Sequence, residues 1–315
     1  MQAQIPTPQQ IPHTPVLLNE VLQAFEGVEK GIIVDATLGF GGHSEAILSA
    51  FKGVRLIACE QDIEALDFAR QRLAKFAGRA EFHHCNFAEL FSRIDSREVV
   101  GVLADLGVSS WQLDSDKRGF STKSSVLDMR MNAQRPVNAY ELVNFAPQSE
   151  LERIFDDFGE LKDAKNLAFK LCEARKKAKI SSGKALAAVI GEGRVSGRAI
   201  PKAILAFQAL RIAVNDELGA LKSLLNALEC AHPSGCVVAI ISFHSLEDRL
   251  VKNAFKEWAR ACKCDEKALR CTCQKGGNLG KILTKKPLTP SAQELTRNSR
   301  AACAKLRAFR FNEVR

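Results

Sequence analysis

Three glycines, Gly39, Gly41 and Gly42, crowd the segment from Asp35 to His43. Glycine permits positive φ and lets a ligand approach the backbone closely. The apolar run before them, 31–39, reads as a buried strand, and residues 43–51 read as a helix. The first N–H groups of such a helix can meet an anion or a polar group. A dinucleotide fingerprint needs glycine at 39, 41 and 44, but position 44 is Ser. The plain alternative is a tight structural turn.

Acids stand at the ends of the neighbouring runs. Glu60 ends 54–60, where an acid in a nucleotide-binding α/β fold accepts hydrogen bonds from ribose hydroxyls. Strand ends also carry solvated acids, so Glu60 gains weight only from its company. Cys85-Asn86-Phe87 closes 80–85 and offers an aromatic or amide edge to an adenine ring. Asp105 lies at the end of 99–107, which lines the crevice of an open α/β sheet. These groups suit a nucleoside cofactor without phosphates better than a diphosphate. S-adenosyl-L-methionine is such a cofactor, with an amino group to pair with an acid and a ribose to pair with Glu60. Beyond another strand, 236–243, His244 should face the same crevice and contact a base or a phosphate. The alternative is a histidine tied into a structural network.

Cys262, Cys264, Cys271 and Cys273 form two Cys-x-Cys pairs. Four thiolates can hold zinc, but the usual knuckle spacing is Cys-x2-Cys, and no metal is assigned. The ten cysteines, with no export signal, read as reduced thiols of a cytoplasmic protein.

These residues need a scaffold that brings strand ends together. Strands alternating with helical stretches imply right-handed crossovers and a parallel sheet. One such stretch, 63–77, places Ile63, Leu66, Ala69, Leu73 and Phe76 on one face. The rhythm stops over 113–200, where only helical pieces such as 149–159 and 164–178 are seen. Helical stretches at 201–230 and 246–261 flank the returning strand, and 304–311 reads as a final edge strand. The expected organisation is a flexible arm, 1–12, a sheet domain of 13–112 and 201–315, and an inserted helical domain, 113–200.

The chain has 315 residues and a net charge of +9, with 46% hydrophobic residues. Such a composition excludes bulk disorder, and no apolar run is long enough to span a membrane. The charge is uneven. Residues 1–160 sum to −8, 161–211 to +9, 212–251 to −3 and 252–315 to +11. Two basic blocks are the footprint of a polyanion partner, or else of well-solvated lysine-rich helices.

Several long motifs occur in order: HTPVLLNEVL (13–22), DATLGFGGHS (35–44), DLGVSSWQLD (105–114), RGFS (118–121), LDMRM (127–131), FQALRIAVNDEL (207–218), ISFHSLEDR (241–249) and LTPSAQEL…NSRAACAKLRA (288–308). On them the chain resembles the RsmH/MraW family of small-subunit rRNA cytosine-N4 methyltransferases, over about 13–311. The resemblance implies an α/β fold, a Rossmann-like class I methyltransferase sheet with an inserted all-helical domain. It implies methylation of a decoding-centre cytosine, cytosine 1402 of 16S rRNA, on N4. It implies that Gly41, Gly42 and His43 hold the methionine end of S-adenosyl-L-methionine. Glu60 would take the ribose and Phe87 the adenine side, with Asp105 and Gln112 completing the pocket. Two positions depart from the family, Glu60 where Asp is usual and Trp111 where Pro is common.

Many amino-methyltransferases carry an Asp/Asn-Pro-Pro-aromatic turn after the fourth strand. Here that place reads Asp105-Leu106-Gly107-Val108. Asp105 or nearby carbonyls are therefore the expected acceptors for the cytosine amine, with His244 as a second candidate catalytic group. Arg118, Arg130 and Arg211 are candidates for RNA phosphate or for structural ion pairs. Trp111 and Phe120 are candidates for stacking on the base, and His13 for the substrate side. A noncatalytic RNA-binding assembly factor is opposed by the intact glycine turn and strand-end acids. A nicotinamide oxidoreductase is opposed by Ser44 and the basic blocks. The expected partner is 16S rRNA within an assembled small ribosomal subunit; the sequence does not fix oligomeric state, so a homodimer stays open.

Overall fold

The computed structural model describes residues 15–194, 200–261 and 277–313. The arm 1–12, His13 and the four cysteines of the Cys-x-Cys pairs lie outside the described residues. The chain divides into two compact units, Met1–Gly107 with Gly219–Arg315, and Val108–Leu218.

The first unit opens with α1 (Leu18–Ala24), β1 (Lys30–Asp35), α2 (Gly42–Ala50), β2 (Gly53–Glu60) and α3 (Ile63–Arg72). It continues with β3 (Ala80–His84), α4 (Phe87–Leu90) and β4 (Val99–Asp105). The chain then passes through α5 (Ser110–Asp114), α6 (Ala139–Phe145), α7 (Gln148–Asp157), α8 (Ala164–Lys177), α9 (Gly183–Ile190) and α10 (Lys202–Asn215). It returns through α11 (Glu217–Ala231), β5 (Val237–Ser242), α12 (Ser245–Trp258), β6 (Gly280–Ile282), α13 (Ala292–Arg297) and β7 (Lys305–Phe311).

The seven strands form one sheet in the order β3-β2-β1-β4-β5-β7-β6. The first five are parallel, and β7 runs antiparallel to both its neighbours. Strands buried on both faces read as continuous apolar runs. Thus Ile32 and Val34 of β1 pack with Leu224, Phe255 and Trp258, whereas Ile33 packs with Val21, Phe25 and Ile47 on the other face. This order gathers the C-terminal ends of β1, β2 and β4 side by side. Among the described residues no helix is long and apolar enough to cross a membrane.

Three local expectations change. The strand at 304–311 is not an edge, because β7 is covered by β6. Three residues are too few to give β6 a periodic pattern of its own. In α3 the buried side chains are Ala65, Leu66, Phe68 and Ala69, while Ile63 is 46% exposed. Ile63, directly after the cap Asp62, points away from the face that Ala65 and Leu66 bury. The stretch 201–230 breaks at Asp216, whose φ of 51° ends α10 before α11 begins.

The helical unit is built on one core, with Leu151, Phe155, Leu167, Leu171, Leu205 and Leu210 at its centre. Because α10 supplies part of this core, the unit runs from Val108 to Leu218, beyond the expected bounds of 113 and 200. Asn215 holds the loop before α6. Its Oδ1 accepts from Met131 N at 2.8 Å, and its Nδ2 donates to Met129 O at 2.7 Å.

Candidate active site

The glycine turn is stitched to the ends of β1, β2 and β4 by side chains. Asp35 is 1% exposed; Ser44 Oγ donates to its Oδ2 at 2.6 Å and Thr37 N to its Oδ1 at 3.2 Å. Burial pushes the Asp35 carboxyl up from 3.8 to about 6, against those hydrogen bonds. Thr37 Oγ1 in turn accepts from Asp105 N at 2.6 Å, fixing β4's end to the turn. Neither Asp35 nor Thr37 was singled out from the sequence. The available signal was an acid at a strand end just before a glycine turn.

Glu60 closes the turn from β2. Its Oε2 accepts from Gly39 N at 2.8 Å and its Oε1 from Asp62 N at 2.9 Å. Both bonds favour the ionised carboxylate, but burial outweighs them and pushes Glu60 up from 4.5 to about 7. Gly41 caps α2 with φ of 77°, a conformation that favours glycine. At Gly42 a side chain would meet Pro15, since a Cβ there would lie 2.6 Å from Pro15 Cγ. Packing of the N-terminal segment therefore requires this glycine.

His43 is 7% exposed, and its Nε2 lies 2.9 Å from Val16 O. A carbonyl only accepts, so Nε2 carries the hydrogen. Nδ1 then faces Asp105, 3.7 Å from Oδ2. An imidazole lone pair set against a carboxylate is repulsive, so a proton on either member relieves the pair. Burial first, then the charges of Asp35 and Glu247, hold the Asp105 carboxyl well above its ordinary value. Asp105 Oδ1 is buried and meets no hydrogen-bond donor among the described residues. Such an orphaned acceptor is costly unless a ligand completes it.

At the end of β3, Asn86 caps α4 by accepting from Ala88 N, and its Nδ2 donates to Gln61 Oε1 at 3.1 Å. Phe87 is the first residue of α4 and packs partly buried beside the sheet core. Thus Gly41, Gly42, His43, Glu60, Phe87 and Asp105 belong to one compact unit and to the ends of its strands. Gln112 belongs to the helical unit. There its Oε1 accepts from Ser109 N at 3.0 Å in a reciprocal cap of α5.

His244 is the N-cap of α12. Its Nδ1 accepts from Glu247 N, and the Glu247 carboxylate accepts from Phe243 N at 2.8 Å. The imidazole Nε2 lies 3.2 Å from Glu247 Oε1. Three other candidates have structural partners. Arg130 pairs with Asp128 through two nitrogens, each at 2.8 Å. Arg211 grips Glu217 at 2.8 and 2.9 Å. Arg118 donates to the carbonyls of Arg130 and Met131 and lies over the Trp111 ring. Phe120 is 6% exposed and belongs to the helical core, so it is not placed as a surface stacking group.

These donors and acceptors fit S-adenosyl-L-methionine. The N-terminus of α2 can meet its carboxylate, the orphaned Asp105 oxygen its ammonium, and Glu60 its ribose hydroxyls. A diphosphate would meet three carboxylates here. A family model for the MraW methylase family matches residues 10–312. The "Ribosomal RNA small subunit methyltransferase H" of Campylobacter jejuni subsp. doylei is 51% identical over 97% of this chain and 99% of its own length. The proteins of the same name from Campylobacter lari and Campylobacter fetus subsp. fetus are 50% and 46% identical. They align over 96% and 95% of this chain, and over 99% and 97% of their own. A family model spanning nearly the whole chain and relatives half identical along it show that the chain belongs to the MraW methylase family, methyltransferases that use S-adenosyl-L-methionine.

Proposed function

We propose that the chain methylates N4 of cytosine 1402 in 16S rRNA, within the assembled small ribosomal subunit in the cytoplasm. The relatives' name supports the rRNA substrate. The observation that carries the chemistry is the buried, unpartnered Oδ1 of Asp105 at the end of β4.

S-adenosyl-L-methionine supplies an activated methyl group; the task left to the protein is to present a weak nucleophile and remove its proton. The cytosine amine is poorly nucleophilic because its lone pair is delocalised into the ring. An acceptor on one of its hydrogens favours a pyramidal nitrogen. In this reading Asp105 Oδ1 accepts that hydrogen, while Oδ2 stays with His43. A carboxylate of raised proton affinity is a better acceptor for the proton the amine must give up. The oxygen thus faces two claims, the cofactor's ammonium and the cytosine amine, and meets the second only as the first is shared with the backbone nearby. Gly41 and His43 hold the methionine end, Glu60 the ribose and Phe87 the adenine side. His244 keeps the turn after β5 in place through its cap of α12. Orientation and a fixed electrostatic environment then supply much of the acceleration.

The test is transfer of labelled methyl from S-adenosyl-L-methionine to naked 16S rRNA, 30S particles and 70S ribosomes, followed by mass spectrometry of nucleosides. N4-methylcytidine on 30S particles is expected. No methylated cytidine on any of the three would refute the reading. Asp105→Asn that kept both cofactor affinity and full turnover would remove Asp105 from the mechanism.

A further inference from the structure

The Glu294 carboxylate is diverted from its local task. Ser291-Ala292-Gln293-Glu294 has the pattern of a capping box, in which the fourth residue reaches back to the cap's own N–H. Ser291 Oγ does accept from Glu294 N, at 3.2 Å. The Glu294 side chain instead accepts from Leu17 N at 2.8 Å, across 277 residues of chain. Leu17 has φ of 54°, a conformation costly for a residue with a side chain. It is also fully buried, and among the described residues Glu294 is the acceptor that its N–H meets. The next carbonyl back, Val16 O, is the acceptor of His43 Nε2.

We propose that Glu294 is a positioning residue for the cofactor site. By fixing the Leu17 amide it sets the peptide unit shared by Val16 and Leu17. The carbonyl of that unit selects the His43 tautomer that turns Nδ1 toward Asp105. Leu17 N and Val16 O belong to the same rigid peptide plane, so a rotation that releases one moves the other. Pro15, packed against Gly42, is drawn along with it. A residue on α13 thereby controls the imidazole beside the glycine turn without touching a ligand.

The proposal rests on His43 and Asp105 belonging to the cofactor site, and three substitutions test it in the full chain. Glu294→Ala removes the acceptor. Glu294→Asp keeps the charge at the start of α13 but withdraws it by one methylene. Glu294→Gln keeps reach and an acceptor oxygen but loses the charge. Calorimetry with S-adenosylhomocysteine should show affinity about tenfold weaker for Glu294→Ala and Glu294→Asp, and within about twofold of the parent for Glu294→Gln. Nitrogen NMR of 15N-histidine protein should show His43 protonated on Nε2 in the parent and in Glu294→Gln, and a mixed tautomer in Glu294→Asp. Parent-like affinity and parent-like His43 spectra in Glu294→Asp would overturn the proposal, even if its melting temperature falls. Failure of Glu294→Gln to retain affinity would overturn it too, by making charge the operative property. If the parent itself does not bind S-adenosylhomocysteine, the assignment of the cofactor site fails instead.

Discussion

Glu60→Gln tests the ribose role through its pH dependence. The carboxyl of Glu60 is held at about 7 in the ligand-free protein. Ribose hydroxyls donate to it, which favours the ionised form, so ligand binding lowers its pKa and releases a proton. Affinity therefore strengthens as pH rises to about 7 and levels off above. At pH 5.5, about 1.5 units below that value, the ionised fraction is roughly 3%, so affinity can fall by up to about thirtyfold. The amide variant has no such titration. At pH 8 it loses a charge-assisted hydrogen bond worth roughly 1.5–3 kcal/mol, about a tenfold to hundredfold loss. Its NH2 must also face Gly39 N or Asp62 N, two donors that the carboxylate satisfies. The expected result is two affinity curves for S-adenosylhomocysteine that stand apart at pH 8 and converge toward pH 5.5. Asp35 and Asp105 titrate in both proteins, so the ratio of the curves isolates Glu60. Calorimetry in buffers of different ionisation enthalpy should show more proton release near neutral pH for the parent than for the variant. Parallel curves across pH 5.5–8.5 would refute the reasoning.

Gly41→Ala forces a side chain onto φ of 77° and sets its Cβ 3.3 Å from Ala69 Cβ; denaturant titration should show a loss of about 1–3 kcal/mol. Arg211→Ala strips the partner from the buried Glu217 carboxylate; stability should fall by roughly 3 kcal/mol, while the salt dependence of RNA binding stays unchanged, as it would not if Arg211 bound phosphate. Phe145 is 62% exposed on the helical unit, with Lys179 Nζ 4.4 Å from its ring centre. If it stacks an RNA base, Phe145→Ala should weaken RNA binding about tenfold, within the range for a base–aromatic stack, and leave S-adenosylhomocysteine affinity alone; equal RNA affinity would exclude that role.

Much of the sheet was legible because a strand buried on both faces writes a continuous apolar run, as 31–35 and 237–242 do. The glycine turn and the acids at 60 and 105 were legible because they end such runs. Partners distant in sequence were not. Nothing near 305–311 shows that three residues at 280–282 will cover it. Nothing near His43 shows that its ring meets a carbonyl at 16, or that a carboxylate at 294 fixes that carbonyl. Arg211 stood open between phosphate and ion pair because Glu217 lies one helix on, past the break at Asp216. Phe120 stood as a stacking candidate because its type alone does not separate a base platform from a core ring, and the fold buries it in the helical core.

The place of β7 bears on how the enzyme comes into being. Residues 305–311 fill an interior position of the sheet, between β5 and β6. During synthesis β5 emerges more than sixty residues before β7 and keeps a bare antiparallel edge until 305–311 emerge. Arg307 and Lys305, which neutralise Asp248 beside the cap of α12, arrive equally late. An open apolar edge invites pairing with other chains. A chain truncated before residue 305 would therefore leave the β5 edge open and is expected to aggregate rather than to keep partial activity.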